Sequence, residues 1–126
     1  MSETDPGHVI PIGSDDAFQI LSNGRRRQIL LSLDESNGVL TASNLAVEIA
    51  AVEAGINPNQ VTGEQRMRVY VSLIQSHLRI LDELGVADYD ARAKRVSPTN
   101  ATEPIARHIR KLKSACYELE DGDDAE

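Results

Sequence analysis

The chain has 126 residues, one Cys, no Trp and 3% aromatic residues, enough for a single core of Leu, Ile, Val and Ala and too few for two domains. It holds no apolar run able to span a membrane, its first residues lack the basic and apolar regions of a signal peptide, and the lone Cys116 excludes an intramolecular disulfide framework and fits a reducing cytoplasm. The net charge of −7 opposes a nucleic-acid partner, but ten of the 20 acids lie in residues 1–16 and 118–126, whereas 17–117 hold all 13 Lys and Arg and are net +3.

In chain order, Pro6, Gly7, Pro11 and Gly13 mark residues 1–13 as a disordered tail. Ser14 reads as the cap of a short helix whose first turn carries Asp15 and Asp16, with Phe18 and Leu21 as its apolar positions. Asn23 caps a second helix beginning Arg25-Arg26-Arg27, in which Ile29, Leu30 and Leu33 share a face. Those three cations oppose the helix dipole, so phosphate or acids such as Asp34 and Glu35 should compensate them, and a structural ion pair is expected for at least one.

Ser36-Asn37-Gly38 is a turn and Val39-Leu40 a very short strand. Thr41 caps a third helix over 42–54 with Leu45, Ala46, Ile49 and Val52 inward, and Gly55 ends it. After the loop 56–60, Thr62 caps the longest helix, about 63–84. Its expected stripe is Val69 or Tyr70, then Ile74, Leu78, Leu81 and Leu84, and Gly85 stops it. Residues 86–90 and 94–97 read as strands joined by a turn at Ala91-Arg92-Ala93. A last helix over 103–119 has Thr102 as its cap and Pro104 in its first turn. Its apolar residues Ile105, Ile109, Leu112, Cys116 and Leu119 fall four, three, four and three apart. That spacing predicts a homodimer seam, with Cys116 as a small apolar filler in it.

Particular segments resemble known regulators. Ser22-Asn23-Gly24-Arg25-Arg26-Arg27-Gln28-Ile29-Leu30 resembles the opening of arsenical-repressor-type (ArsR-like) proteins. Leu40-Thr41-Ala42-Ser43-Asn44-Leu45-Ala46 resembles the start of their first helix-turn-helix helix. The segment from Val71 through His77-Leu78-Arg79 to Leu84-Gly85-Val86 resembles their recognition helix. Only three of the 13 basic residues are Lys, and this Arg-rich, acidic composition resembles proteins of salt-loving archaea. At molar salt the Debye length is about 3 Å, so a negative surface repels DNA only near contact.

The resemblance, which covers roughly residues 18–96, is to haloarchaeal winged helix-turn-helix regulators. It implies a mainly α fold with a small β-hairpin wing (α+β), a winged helix-turn-helix at 14–98 and a C-terminal dimerisation helix at 99–119. The acidic residues 120–126 read as a disordered tail. It further implies a cytoplasmic homodimer that binds double-stranded DNA and regulates transcription. Arg68, Ser72, Gln75, Ser76 and Arg79 on the fourth helix would face the major groove. Arg92, Lys94 and Arg95 on the wing would face the backbone or minor groove.

The same positions also read as a solvated helix face and a charged hairpin, and a winged-helix module that binds protein instead of DNA is the alternative. No Cys pair sits on the third helix, so metal sensing does not carry over. His8 and His108 are isolated, and His77 reads as a partly buried packing residue. No metal site, cofactor site or nucleophile–base set is legible, so neither a metal, a cofactor nor an enzymatic activity is expected.

Overall fold

A computed structural model describes residues 9–116; the expected tail at 120–126 and Leu119 lie outside them. Within these residues lie six α-helices and a three-stranded antiparallel sheet, with a 3-10 turn at Pro58–Gln60: α1 (Ser14–Leu21), α2 (Gly24–Ser36), β1 (Leu40–Thr41), α3 (Ala42–Ala54), α4 (Gly63–Ser72), α5 (Leu78–Glu83), β2 (Ala87–Asp90), β3 (Arg95–Pro98) and α6 (Thr102–Ala115). The order of helices and strands, with the sheet in the order β1-β3-β2, gives a winged-helix-like α+β fold.

Local hydrogen bonds set most boundaries. Asn23 Oδ1 accepts from Arg26 N at 3.1 Å and Thr41 Oγ1 from Asn44 N at 3.1 Å, so both caps are as expected. Thr62 and Gln65 form a reciprocal capping box at 3.0 and 2.9 Å, satisfying two otherwise orphaned N–H groups at the start of α4. Gly55 and Gly85 sit at φ +68° and +79°, where a side chain would be strained. Ser14 is not a cap: Gly13 holds that position without a side-chain bond.

One core joins every helix. It contains Ile20 of α1, Ile29, Leu30 and Leu33 of α2, Leu45, Ala46 and Ile49 of α3, Leu78 and Leu81 of α5, Val96 of β3, and Ile105 and Ile109 of α6. Two expected inward residues are outside it: Phe18 is 64% exposed and Val52 60%. Ala17 and Ile20 take the buried face of α1 instead. Residues 9–13 are less free than a tail, because Ile10 and Ile12 pack against the core.

A π-helical turn, Leu73–His77, connects α4 to α5. The residues buried along this continuous helix are Val69, Leu73, Leu78 and Leu81, and the five-residue step between Leu73 and Leu78 overshoots one α turn. A π turn hydrogen-bonds i to i+5 and absorbs the extra residue. Leu73, and not the expected Ile74, therefore enters the core, while Ile74 is half-buried against it.

The C-terminal helix is also placed differently from expectation. Thr102 is its first residue, not its cap; its Oγ1 accepts from Thr99 N at 2.8 Å and donates to Val86 O at 2.7 Å. These bonds tie the start of α6 to the strand end of the wing. Ile105 and Ile109 are fully buried within their own chain, against α2, so α6 belongs to the domain core and neither isoleucine has surface to give a second copy. Arg110 reaches Asp34 at 2.7 Å and Glu35 at 3.9 Å. A part-exposed pair of this kind contributes about 0–1 kcal/mol, whereas burying each isoleucine contributes roughly 1.5–3 kcal/mol. Apolar packing, not the ion pair, holds α6 in place.

Candidate nucleic-acid interface

The helix over residues 63–83 packs one side against α3, and α5 packs on β2. Its opposite side exposes Glu64, Met67, Arg68, Val71, Gln75, Arg79 and Glu83. Side chains every four residues on an α-helix drift by about 40° per step; the π turn slows that drift and keeps Val71, Gln75 and Arg79 in one line. Three of the five expected groove residues, Arg68, Gln75 and Arg79, stand on this stripe. Arg68 is paired with Glu64 at 3.2 Å, and the Arg79 guanidinium donates to the Gln75 carbonyl. Charge on the stripe is balanced, with arginines in the middle and Glu64 and Glu83 at the ends.

The two serines are not on that line. Ser72 is half-buried, donates to Val69 O at 3.0 Å and accepts from Arg25 Nη1 at 2.9 Å. Its hydroxyl is engaged inside the protein and is corrected from groove contact to internal support. Ser76 is likewise half-buried. Met67 and Val71, 46% and 36% exposed, also stand there; an unbroken α-helix with Ile74 inward would place them about 20° and 60° from that core direction.

The wing carries Arg92 and Arg95 exposed and Lys94 half-buried. Asp90 Oδ1 accepts from Arg92 N at 3.1 Å and Ala93 N at 3.2 Å, closing the tip. Lys94 adopts φ +56° and its Nζ donates to Ala91 O at 2.7 Å. With Asp88 and Asp90 also exposed, the hairpin is net +1, and the guanidiniums of Arg92 and Arg95 are its outward cations.

The three arginines opening α2 form a clamp behind the helix. Arg25 is held bidentately by Glu53 at 2.6 and 3.0 Å. The hydrogen bond it donates to Glu53 raises its pKa further, against partial desolvation. The expected ion pair therefore exists, with Glu53 of α3 in place of Asp34 or Glu35. Arg26 Nη1 and Arg27 Nη1 donate to Gln19 O and Leu21 O at 3.0 and 2.6 Å. Cations that oppose the dipole of α2 thus complement the carbonyl end of α1.

Arg26 Nε also donates to His77 Nδ1 at 3.1 Å, which requires that nitrogen unprotonated. Partial burial first, then the charges of Arg26 and Arg25, hold the His77 pKa below 6.5, with Glu53 opposing. Because the unfolded chain binds this proton more readily, the contribution is complete above pH 6.5 and is lost as pH falls below it. Thermal midpoints measured from about pH 7 to about pH 5 should fall more steeply for the parent than for His77→Gln, whose Oε1 accepts the same bond. Equal slopes would show that His77 titrates normally.

Next to this clamp, with Arg27 and Glu53 in its wall, an open and mostly apolar groove of about 460 Å³ runs between α2, α3 and α6. Leu21, Leu31, Val52 and Leu112 line it, and Cys116, a free thiol, stands exposed at its edge. Among the described residues no group of His, Cys, Asp and Glu is arranged to hold a metal, and no helix is long and apolar enough to cross a membrane.

One protein family, described as a domain of unknown function (DUF7344), matches residues 18–97. That span runs from α1 through β3 and leaves α6 outside. No curated protein and no solved structure matches the chain.

Proposed function

The chain belongs to the DUF7344 family, and we propose that it is a sequence-specific double-stranded-DNA-binding transcriptional regulator of the haloarchaeal ArsR-like kind, acting as a cytoplasmic homodimer. The helix 63–83 enters the major groove, and the wing rests on the backbone. The observation that carries this reading is the outward line of Arg68, Gln75 and Arg79 on a helix whose other side is core. Beside it stands a hairpin whose exposed Arg92 and Arg95 have no packing role. Gln75 suits the N6/N7 edge of adenine; Arg68 and Arg79 suit guanine or phosphate. The homodimer face is the apolar groove, with Leu112 of α6, Leu21 and Phe18 of α1, and Val52 of α3 covered by the second copy.

A gel shift against the DNA upstream of the protein's own gene, in molar potassium chloride, tests the reading. Gln75→Ala and Arg79→Ala should each weaken specific binding by about 1–3 kcal/mol with an unchanged thermal midpoint. Arg92→Ala and Arg95→Ala should weaken all duplexes alike and flatten the salt dependence. A parent that binds no duplex, or variants that bind like it, would overturn the proposal. The balanced charge of the stripe, with Glu64 and Glu83 at its ends, favours the second reading, a winged-helix module that binds protein. Those results would make it the better account.

A further inference from the structure

We infer that Val71, extended one turn earlier by Met67, reads the 5-methyl groups of thymine, so that the preferred duplex places a T·A pair beneath the middle of the helix. The inference rests on the DNA-binding reading and deepens it. Val71 lies on the outward line, four residues before Gln75 and three after Arg68, and is 36% exposed; Met67 is 46% exposed. A single exposed apolar side chain needs no explanation. Here two of them, one turn apart, occupy a line whose other members are charged or amide side chains, on the face turned away from the core.

The chemistry of the groove floor narrows the partner. With Arg68 and Arg79 spanning outward on either side, Val71 meets base edges. The edges of guanine, adenine and cytosine there are hydrogen-bonding groups, and a valine pressed on them strips water and returns no bond. Thymine alone presents an apolar group, its C5-methyl. Gln75, one turn on, pairs with N6 and N7 of adenine, so both residues select A·T-containing sequence through different atoms. The π turn makes this joint reading geometrically consistent, because it keeps Val71 and Gln75 on one line while Leu73 and Leu78 remain in the core.

The experiment uses the full chain and a duplex recovered by selection from a random 20-base-pair library, about two helical turns. The same duplex is resynthesised with deoxyuridine replacing thymidine at one position at a time, which removes only the methyl group. Parent affinity should fall about fourfold at the position beneath Val71, the loss expected for one methyl group no longer buried. Val71→Ala should bind the thymine duplex more weakly and discriminate thymine from uracil there by less than about twofold. Gln75→Ala should retain the discrimination. Equal binding of thymine and uracil duplexes by the parent overturns the inference and leaves the DNA reading standing. So does discrimination that survives Val71→Ala and Met67→Ala. Failure to recover any duplex overturns both.

Discussion

Leu73→Ala should cost about 2–5 kcal/mol of stability, and Ile74→Ala less than about 1.5 kcal/mol, in urea unfolding at fixed salt. Leu73 is fully buried where α4 runs into the π turn, and its removal leaves a cavity among core residues that relax only partially into it. Ile74 keeps part of its side chain in solvent and loses less. For a domain of this size, whose total stability is of the order of 5–15 kcal/mol, the first substitution removes a large fraction of it and still leaves a folded state to titrate. The reverse ranking would mean that residues 73–77 continue as regular α-helix with Ile74 inward. The outward line would then be rotated by about 100°, one residue's turn, and the positions of Gln75 and Val71 on it would be wrong.

The second large effect divides α6 into two functions. Ile109→Ala should destabilise by about 2–5 kcal/mol, because Ile109 is buried against α2 within its own chain. Leu112→Glu, one turn later, should leave the unfolding transition close to the parent's, since Leu112 is 47% exposed and Glu is a good helix former. It should also convert the proposed homodimer to a monomer in sedimentation equilibrium, by placing a charge in the apolar groove of the second copy. A parent already monomeric, or a Leu112→Glu protein that stays dimeric, would remove the groove as the contact face. Truncation after Pro104 cannot make this distinction. It deletes Ile105 and Ile109 and with them part of the core.

The features read correctly from the chain are those settled within three or four residues. Asn23, Thr41 and Thr62 cap helix N-termini by bonds to the third residue onward, and the structure adds the return bond from Thr62 N to Gln65. Gly55 and Gly85 end helices because of their own φ. Together with the order of apolar stretches, these fix the element sequence and hence the winged-helix arrangement. Arg68, Gln75 and Arg79 were legible as exposed because either register of their helix leaves them outside the core.

What the tertiary structure decided is which partner each face meets. Periodicity in α6 announces a buried stripe, but the spacing is the same whether α2 of the same chain or a second copy covers it. Three cations at the start of α2 demand compensation, yet Glu53, distant in sequence, supplies it only once α3 folds back. Phe18 and Val52 have the hydrophobicity of core residues and are exposed because the helix directions leave their outer faces uncovered. Along 63–83 an α-helical period fits Ile74, whereas the fixed positions of Leu73 and Leu78 against α3 and β2 require a π turn. A local hydrogen bond is complete within its own segment; burial needs a second surface, and only the folded chain determines which one arrives.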